Sequence, residues 1–193
     1  MAESLTSLLK KVRACEVCAE YLPFPPKPIL RAGKGARLMI VGQAPGRRVQ
    51  ETGIPWNDPS GDRLRDWLQI SRETFYDEHR IAIIPIGFCY PGKGKSGDLP
   101  PRPECAPLWQ PRLRAALPEV ELTLLVGSYA QAYYLGDRAQ KTLTETVRHY
   151  RDYLSAFLPL PHPSPRNQMW LRRNPWFGKE VLPLLRKRVA ALL

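Results

Sequence analysis

No apolar run in these 193 residues approaches the roughly 20 residues that a membrane-crossing helix needs. The opening stretch, MAESLTSLLKKVRAC, puts acidic Glu3 early and its basic residues late, the reverse of a secretory signal. A cytoplasmic protein without membrane attachment is expected. Nucleotide signatures are missing as well: there is no Gly-Lys-Ser/Thr and no G-x-G-x-x-G, which excludes a P-loop and the usual dinucleotide fingerprint. Acidic residues are scarce, 18 against 29 Lys+Arg, leaving a net charge of +11. That balance favours a polyanionic partner, nucleic acid first among them, although a merely soluble basic protein has the same count. Cysteines number only four, Cys15, Cys18, Cys89 and Cys105, and in a cytoplasmic chain their pattern favours metal binding over disulfides. No internal repeat, low-complexity tail or second domain is evident, so residues 1–193 read as one domain.

What the sequence does have is one long loop. Arg37-Leu38-Met39-Ile40-Val41 is an apolar strand, and Asp62-Arg63-Leu64-Arg65-Asp66-Trp67-Leu68 is a helical pattern. Between them runs GQAPGRRVQETGIPWNDPSG, Gly42 to Gly61, carrying Gln43, Glu51, Trp56, Asn57 and Asp58. A loop this long in a compact domain is functional or disordered. In an open α/β sheet the carboxyl ends of strands are where ligands bind. A strand-to-helix connection with incidental polar residues is the plainer alternative.

Strands are expected at Ala36–Val41, Ile81–Phe88 (ended or bent by Pro85), Glu121–Val126 and Ala156–Leu160. Helices are expected at Ser4–Arg13, Ser60–Leu68, Ala106–Leu117, Ala130–Leu135, Thr142–Tyr153 and from about Pro175 to Leu193, with a kink at Pro183. Alternating elements give an α/β three-layer sandwich around a mainly parallel four-stranded sheet. The fourth strand ends in Pro161-His162-Pro163-Ser164-Pro165, where prolines stiffen the turn that aims His162 and Ser164. A lone His is usually structural; one held between prolines at a strand end is a better site candidate. Arg166, Asn167, Met169, Lys93 and Lys95 lie in loops of the same expected face, with Arg102, Arg172 and Arg173 nearby.

Two loops together resemble the uracil-DNA glycosylase superfamily. Gly42-Gln43-Ala44-Pro45-Gly46, continuing through Thr52-Gly53-Ile54-Pro55-Trp56, resembles its first motif, and His162-Pro163-Ser164 its second. Cys15-x2-Cys18, Cys89 and Cys105 resemble the ligands of its iron–sulfur-containing family 4 and family 5 members. There are departures. Family 4 has Glu where Gln43 stands, and another Glu where Val49 stands. Asp58, in Trp56-Asn57-Asp58-Pro59-Ser60-Gly61-Asp62, looks more like the catalytic Asp of family 5. Pro85 stands where most near members carry a base-reading Asn.

The resemblance implies a monomeric, monofunctional DNA glycosylase of base excision repair, acting on DNA that contains deaminated bases. It implies catalytic roles for Asp58, Glu51 and His162, and base contacts from Gly42, Gln43, Ala44, Trp56, Asn57 and Ser164. DNA contacts fall to Arg166, Asn167, Met169, Lys93 and Lys95. It implies a [4Fe–4S] cluster on the four cysteines, with structural zinc as the alternative. Asp58 has a plainer alternative role as the cap of the helix that begins near Ser60. Two other classes compete: a non-catalytic module that binds damaged or single-stranded nucleic acid, and a small-molecule α/β enzyme.

Overall fold

The computed structural model describes residues 3–193. Four strands form the sheet: β1 (Leu38–Val41), β2 (Ile81–Ile83), β3 (Leu122–Val126) and β4 (Phe157–Leu160). Their order is β2-β1-β3-β4 and every pairing is parallel. Leu38 lies opposite Ile81 on one side and Leu122 on the other. The strands are short apolar runs because both faces of the sheet are covered. Pro159 has no N–H for a ladder, and its strand is at the sheet edge, where that lack costs least.

Side chains alternate across the sheet with period two. Met39 and Val41 join one apolar layer, packed under α1 (Leu5–Arg13), α5 (Cys105–Ala115) and α6 (Ser128–Leu135). Leu38 and Ile40 join the other, under α3 (Pro59–Leu68) and α9 (Leu182–Leu192). Each fully buried Leu, Ile or Val contributes roughly 1.5–3 kcal/mol relative to exposure. The three-layer sandwich expected from the alternating pattern is the observed architecture.

Several boundaries differ from the expectation. β2 stops at Ile83, two residues before Pro85. Beyond it, strand-like pairing persists on the residues that keep an N–H: Ile84 donates to Ile40, Ile86 to Gly42 and Gly87 to Gln43. The long loop contains a helix, α2 (Arg47–Thr52), closed by Gly53 at φ +71°. A second short helix, α4 (Arg72–Tyr76), precedes β2. The expected helix at Thr142–Tyr153 divides into α7 (Leu143–Arg148) and a 3₁₀ turn at Tyr150–Tyr153. The C-terminal helix is likewise divided. It holds a wide π-type turn at Phe177–Val181 before α9, and a separate short helix that was not expected, α8 (Gln168–Arg173), precedes it. Pro183 sits in the first turn of α9, where its missing N–H is not needed.

The chain passes from β1 to β2 on one side, and from β2 crosses back to β3 on the other side of β1, so a crevice opens at the carboxyl end of β1. The loop at that crevice depends on Gly61. A methyl group there would lie 1.7 Å from the carbonyl oxygen of Trp56. Gly61→Ala should therefore destabilise the protein by about 3 kcal/mol, as steric strain in a packed turn does, and lower the melting temperature by roughly 6–12 °C. Gly178 is exposed and has nothing within 4 Å of the same position, so Gly178→Ala should be neutral or slightly stabilising. Thermal melts of both variants check this; a Gly61→Ala variant that melts with the wild type contradicts the close approach.

Candidate functional site

Trp56 is the unusual residue of the long loop. Its φ is +57°, a left-handed conformation that is an outlier for a bulky side chain and costs on the order of 1–3 kcal/mol. Neighbours hold it there. The Tyr76 hydroxyl donates to the Pro55 carbonyl at 2.8 Å, and Arg65 Nη1 donates to the Trp56 carbonyl at 3.4 Å. Arg65 is buried, paired with Asp62, and its guanidinium lies 5.2 Å from the Phe75 ring centre and 5.8 Å from that of Tyr76. The indole packs on Gly42, where a methyl group would lie 2.8 Å from Cζ2.

Asp58 follows two residues later and caps α3. Its Oδ1 accepts from the Gly61 N–H at 2.8 Å. The capping role weighed from sequence is therefore real. Asp58 also lines the cavity, and Oδ2 makes no hydrogen bond among the described residues. One oxygen is structural and the other is open to a ligand.

His162 faces the same space from the end of β4. Its ring centre lies 5.6 Å from that of Trp56 at a tilt of 32°. The Ser164 N–H donates to Nδ1 at 3.2 Å, which makes Nδ1 the acceptor and leaves the ring proton on Nε2. Asn167 Nδ2 donates to the His162 carbonyl at 2.7 Å, and Arg63 donates to the Ser164 carbonyl at 3.0 Å. Burial pushes the His162 pKa below its ordinary value, with the Asp58 charge opposing that shift. The ring is a neutral donor at neutral pH.

These groups enclose a cavity of about 440 Å³. Gly42, Gln43, Ala44, Trp56, Asp58, His162, Ser164 and Arg166 all line it. The backbone N–H groups of Gln43 and Ala44 donate to nothing among the described residues. Ile29, Ile83 and Pro85 give it an apolar wall. Pro85 offers no amide to a ligand, and its carbonyl is taken by Gln110 Nε2 at 2.7 Å.

Other expected residues stand elsewhere. Glu51 does not line the cavity; α2 turns it outward, where it pairs with Arg47 one helical turn back at 3.1 Å. Asn57 accepts from Arg72 at 2.8 Å outside the cavity. Asn167 spends its amide on the His162 carbonyl rather than facing outward. Met169 is exposed on α8, and Lys93 and Lys95 are exposed on the loop after β2. Asp98 was missed. It lines the cavity, and its pKa is raised by burial and by Asp58, against the opposing pull of Arg166 and the Tyr90 hydroxyl. An acid in a basic glycine-rich loop carries no spacing signal.

The cysteines form a second, separate place. Cys15, Cys18, Cys89 and Cys105 are free thiols that line one small pocket with Phe88 and Arg102. Burial pushes the Cys89 thiol up to about 11 and the Cys105 thiol up to about 12. No three His, Cys, Asp or Glu side chains among the described residues are placed to hold a metal ion. The convergence expected from spacing is thus a shared pocket rather than a closed set of ligands.

A cavity with one apolar wall, an aromatic side chain, backbone donors and a carboxylate, at the carboxyl end of a parallel sheet, has the make-up of a ligand-binding site. The family model described as "Uracil DNA glycosylase superfamily" matches residues 31–186. The chain belongs to that superfamily. Among solved structures, the solution NMR structure of a candidate uracil DNA glycosylase from Methanosarcina acetivorans matches with a TM-score of 0.51 at 13% identity. The match covers 83% of this chain and 97% of that one, and at that identity it speaks for the fold alone. No helix among the described residues is long and apolar enough to cross a membrane.

The lowered His162 pKa has a measurable consequence. The unfolded imidazole titrates near 6.5, and the folded one lower. Between those values the unfolded chain binds more protons, so stability falls as pH falls. The contribution is complete above about pH 6.5 and is lost as pH drops through the lowered folded value. His162→Asn keeps an acceptor for the Ser164 N–H and removes the titration. Its unfolding free energy should fall less than the wild type's between pH 7.5 and 5; equal slopes would contradict the assignment.

Proposed function

We propose that this protein is a monofunctional DNA glycosylase that takes a deaminated base, uracil or a related one, out of DNA in base excision repair. The observation that carries the reading is the meeting of Trp56, Asp58 and His162 in one cavity with the N–H groups of Gln43 and Ala44, which have no partner among the described residues. An enzyme acting on a base inside nucleic acid must take it out of the stack. The indole lines the cavity, and an aromatic ring suits any base, because every base has a π-face. The Gln43 and Ala44 N–H groups and His162 Nε2–H would then serve the base's carbonyl oxygens.

As the bond between C1′ and the base nitrogen breaks, its electron pair leaves with the base. Negative charge accumulates on the base oxygens, and fixed donors in a water-poor site stabilise that charge more than the ground state. A neutral His162 does this as a hydrogen-bond donor without giving up its proton. The sugar gains positive charge, and Asp58 Oδ2 is the carboxylate oxygen free to face it and to hold the attacking water. Water adds at C1′ and releases one proton by way of Asp58 to solvent, and the departing base anion takes up one proton from solvent, so the hydrolysis balances. Deoxyribose remains as an abasic site.

Gly42 and Ser164 shape the cavity. Arg166 is the cavity cation that suits a phosphate, with Lys93, Lys95 and Met169 as outer DNA contacts. Asp58 is preferred over Glu51 because Glu51 is paired with Arg47 outside the cavity. The apolar Pro85 favours a second reading, a superfamily member that binds damaged or single-stranded nucleic acid without excising anything.

We further infer a [4Fe–4S] cluster on Cys15, Cys18, Cys89 and Cys105. Four thiols from three segments around one pocket support it. A four-iron cluster spreads its thiolates wider than one tetrahedral zinc with bonds of about 2.3 Å. Its chemistry there would be structural, tying α1 and the start of α5 to the loop after β2. Anaerobically purified protein should be brown and carry about four iron per chain; colourless protein with one zinc would overturn the cluster.

Excision from oligonucleotides bearing uracil, hypoxanthine or xanthine tests the activity. Asp58→Asn retains the cap and should lower excision by about 100-fold or more, the scale of losing a charge-stabilising group. Glu51→Gln should leave it near normal. No excision of any base by the wild type would favour the binding module. Normal Asp58→Asn beside a dead Glu51→Gln would transfer the role to Glu51.

A further inference from the structure

The segment after Cys18 and the loop after β2 carry exposed apolar side chains that the proposed reaction does not use. Tyr21, Phe24 and Leu99 are 56%, 44% and 43% exposed. Each ring has one covered face. Phe24 stacks on the buried Tyr90 ring at 6.2 Å and 28°, and the Arg102 guanidinium lies 4.3 Å from the centre of Tyr21. Arg102 is itself fixed by Glu104, with hydrogen bonds of 2.6 and 3.2 Å. Exposure on that scale leaves the opposite faces of both rings to solvent.

The ledge is built into the fold. A methyl group at Gly92, φ +107°, would meet both Leu99 Cδ1 at 3.4 Å and Pro23 Cγ at 3.5 Å, so the loop after β2 and the segment after Cys18 meet there. That loop is a tight hairpin in which Leu99 N donates to Gly92 and Gly94 N to Gly97. It also reaches the cavity: Gln43 Nε2 approaches the Leu99 carbonyl at 3.5 Å, and Asp98 lines the cavity wall. Its tip carries Lys93 and Lys95, both exposed and in no ion pair among the described residues.

Open aromatic faces beside unpaired cations are the two components of a surface that holds a single nucleic-acid strand, stacking for the bases and charge for the backbone. A duplex keeps its base faces stacked on one another and cannot use such a ledge. A protein partner would use the apolar ledge but has no need of the two lysines. We propose that Tyr21 and Phe24 stack, and Leu99 packs against, the unpaired bases of a single DNA strand next to the flipped nucleotide, while Lys93 and Lys95 hold its phosphates. The inference rests on the nucleic-acid reading of the cavity, and it makes the protein's preferred substrate single-stranded.

The test is fluorescence anisotropy of the intact protein with a labelled oligothymidine strand and with its matched duplex. Neither contains an excisable base, so the ledge is tested whether or not excision occurs. Stacking on one aromatic is worth roughly 5- to 150-fold in affinity per base. Phe24→Ala and Tyr21→Ala should each lose affinity for the strand in that range, with duplex binding and the salt slope unchanged. Phe24→Leu keeps packing on Tyr90 and should lose as much, whereas Phe24→Trp should retain binding. Lys93→Ala and Lys95→Ala should each reduce the single-strand salt slope by about 0.7. Wild-type strand affinity in Phe24→Leu and Tyr21→Ala, or equal losses for strand and duplex, would overturn the proposal.

Discussion

Trp56 is held at φ +57° against the preference of its own backbone, and the site depends on the contacts that hold it. Two carbonyl bonds, from Tyr76 and Arg65, fix the peptide on either side. Two glycines make room: Gly42 under the indole and Gly61 against the carbonyl. Strain of this kind persists only where the surroundings over-determine it. What it achieves is placement. The turn brings an indole face and, two residues on, a carboxylate to the carboxyl end of β1, while α3 begins at once behind them.

The opposite wall is built by a different device. There the backbone is restricted by Pro161, Pro163 and Pro165 rather than forced, and the residual freedom is removed by Asn167 and Arg63. Ser164 fixes the tautomer of His162 through its own N–H. Strain on one side and proline restriction on the other leave a cavity whose polar groups are aimed before any ligand arrives. Such preorganisation is what electrostatic stabilisation of a transient charge requires.

Much of this was legible in the chain. Apolar runs gave all four strands, because a parallel sheet covered on both faces needs continuous rather than alternating hydrophobicity. Gly42 and His162 were marked by their positions after strands, and Asp58 by the resemblance of its local sequence to the family 5 members. The misplacements have physical reasons. Glu51 lies close to Trp56 in sequence, but it belongs to α2, which turns it outward; the Arg47–Glu51 spacing of four was the available sign of an outward helical pair. Asn167 looked like a phosphate ligand, and its neighbour's carbonyl claimed it first. Asp98, the free N–H groups of Gln43 and Ala44, and the buried Arg65 arise from long-range packing, which no local pattern records. The cysteine spacing pointed to convergence, and the fold supplies a shared pocket.

The central claim is that the cavity between Trp56 and His162 receives a base turned out of DNA. A crystal structure of Asp58→Asn with a uracil-containing single strand tests it most directly, because the substitution keeps the helix cap and slows excision. The account predicts uracil lying on the Trp56 indole, its carbonyl oxygens facing the Gln43 and Ala44 N–H groups and His162, with C1′ beside residue 58. A strand bound with every base outside the cavity would contradict it.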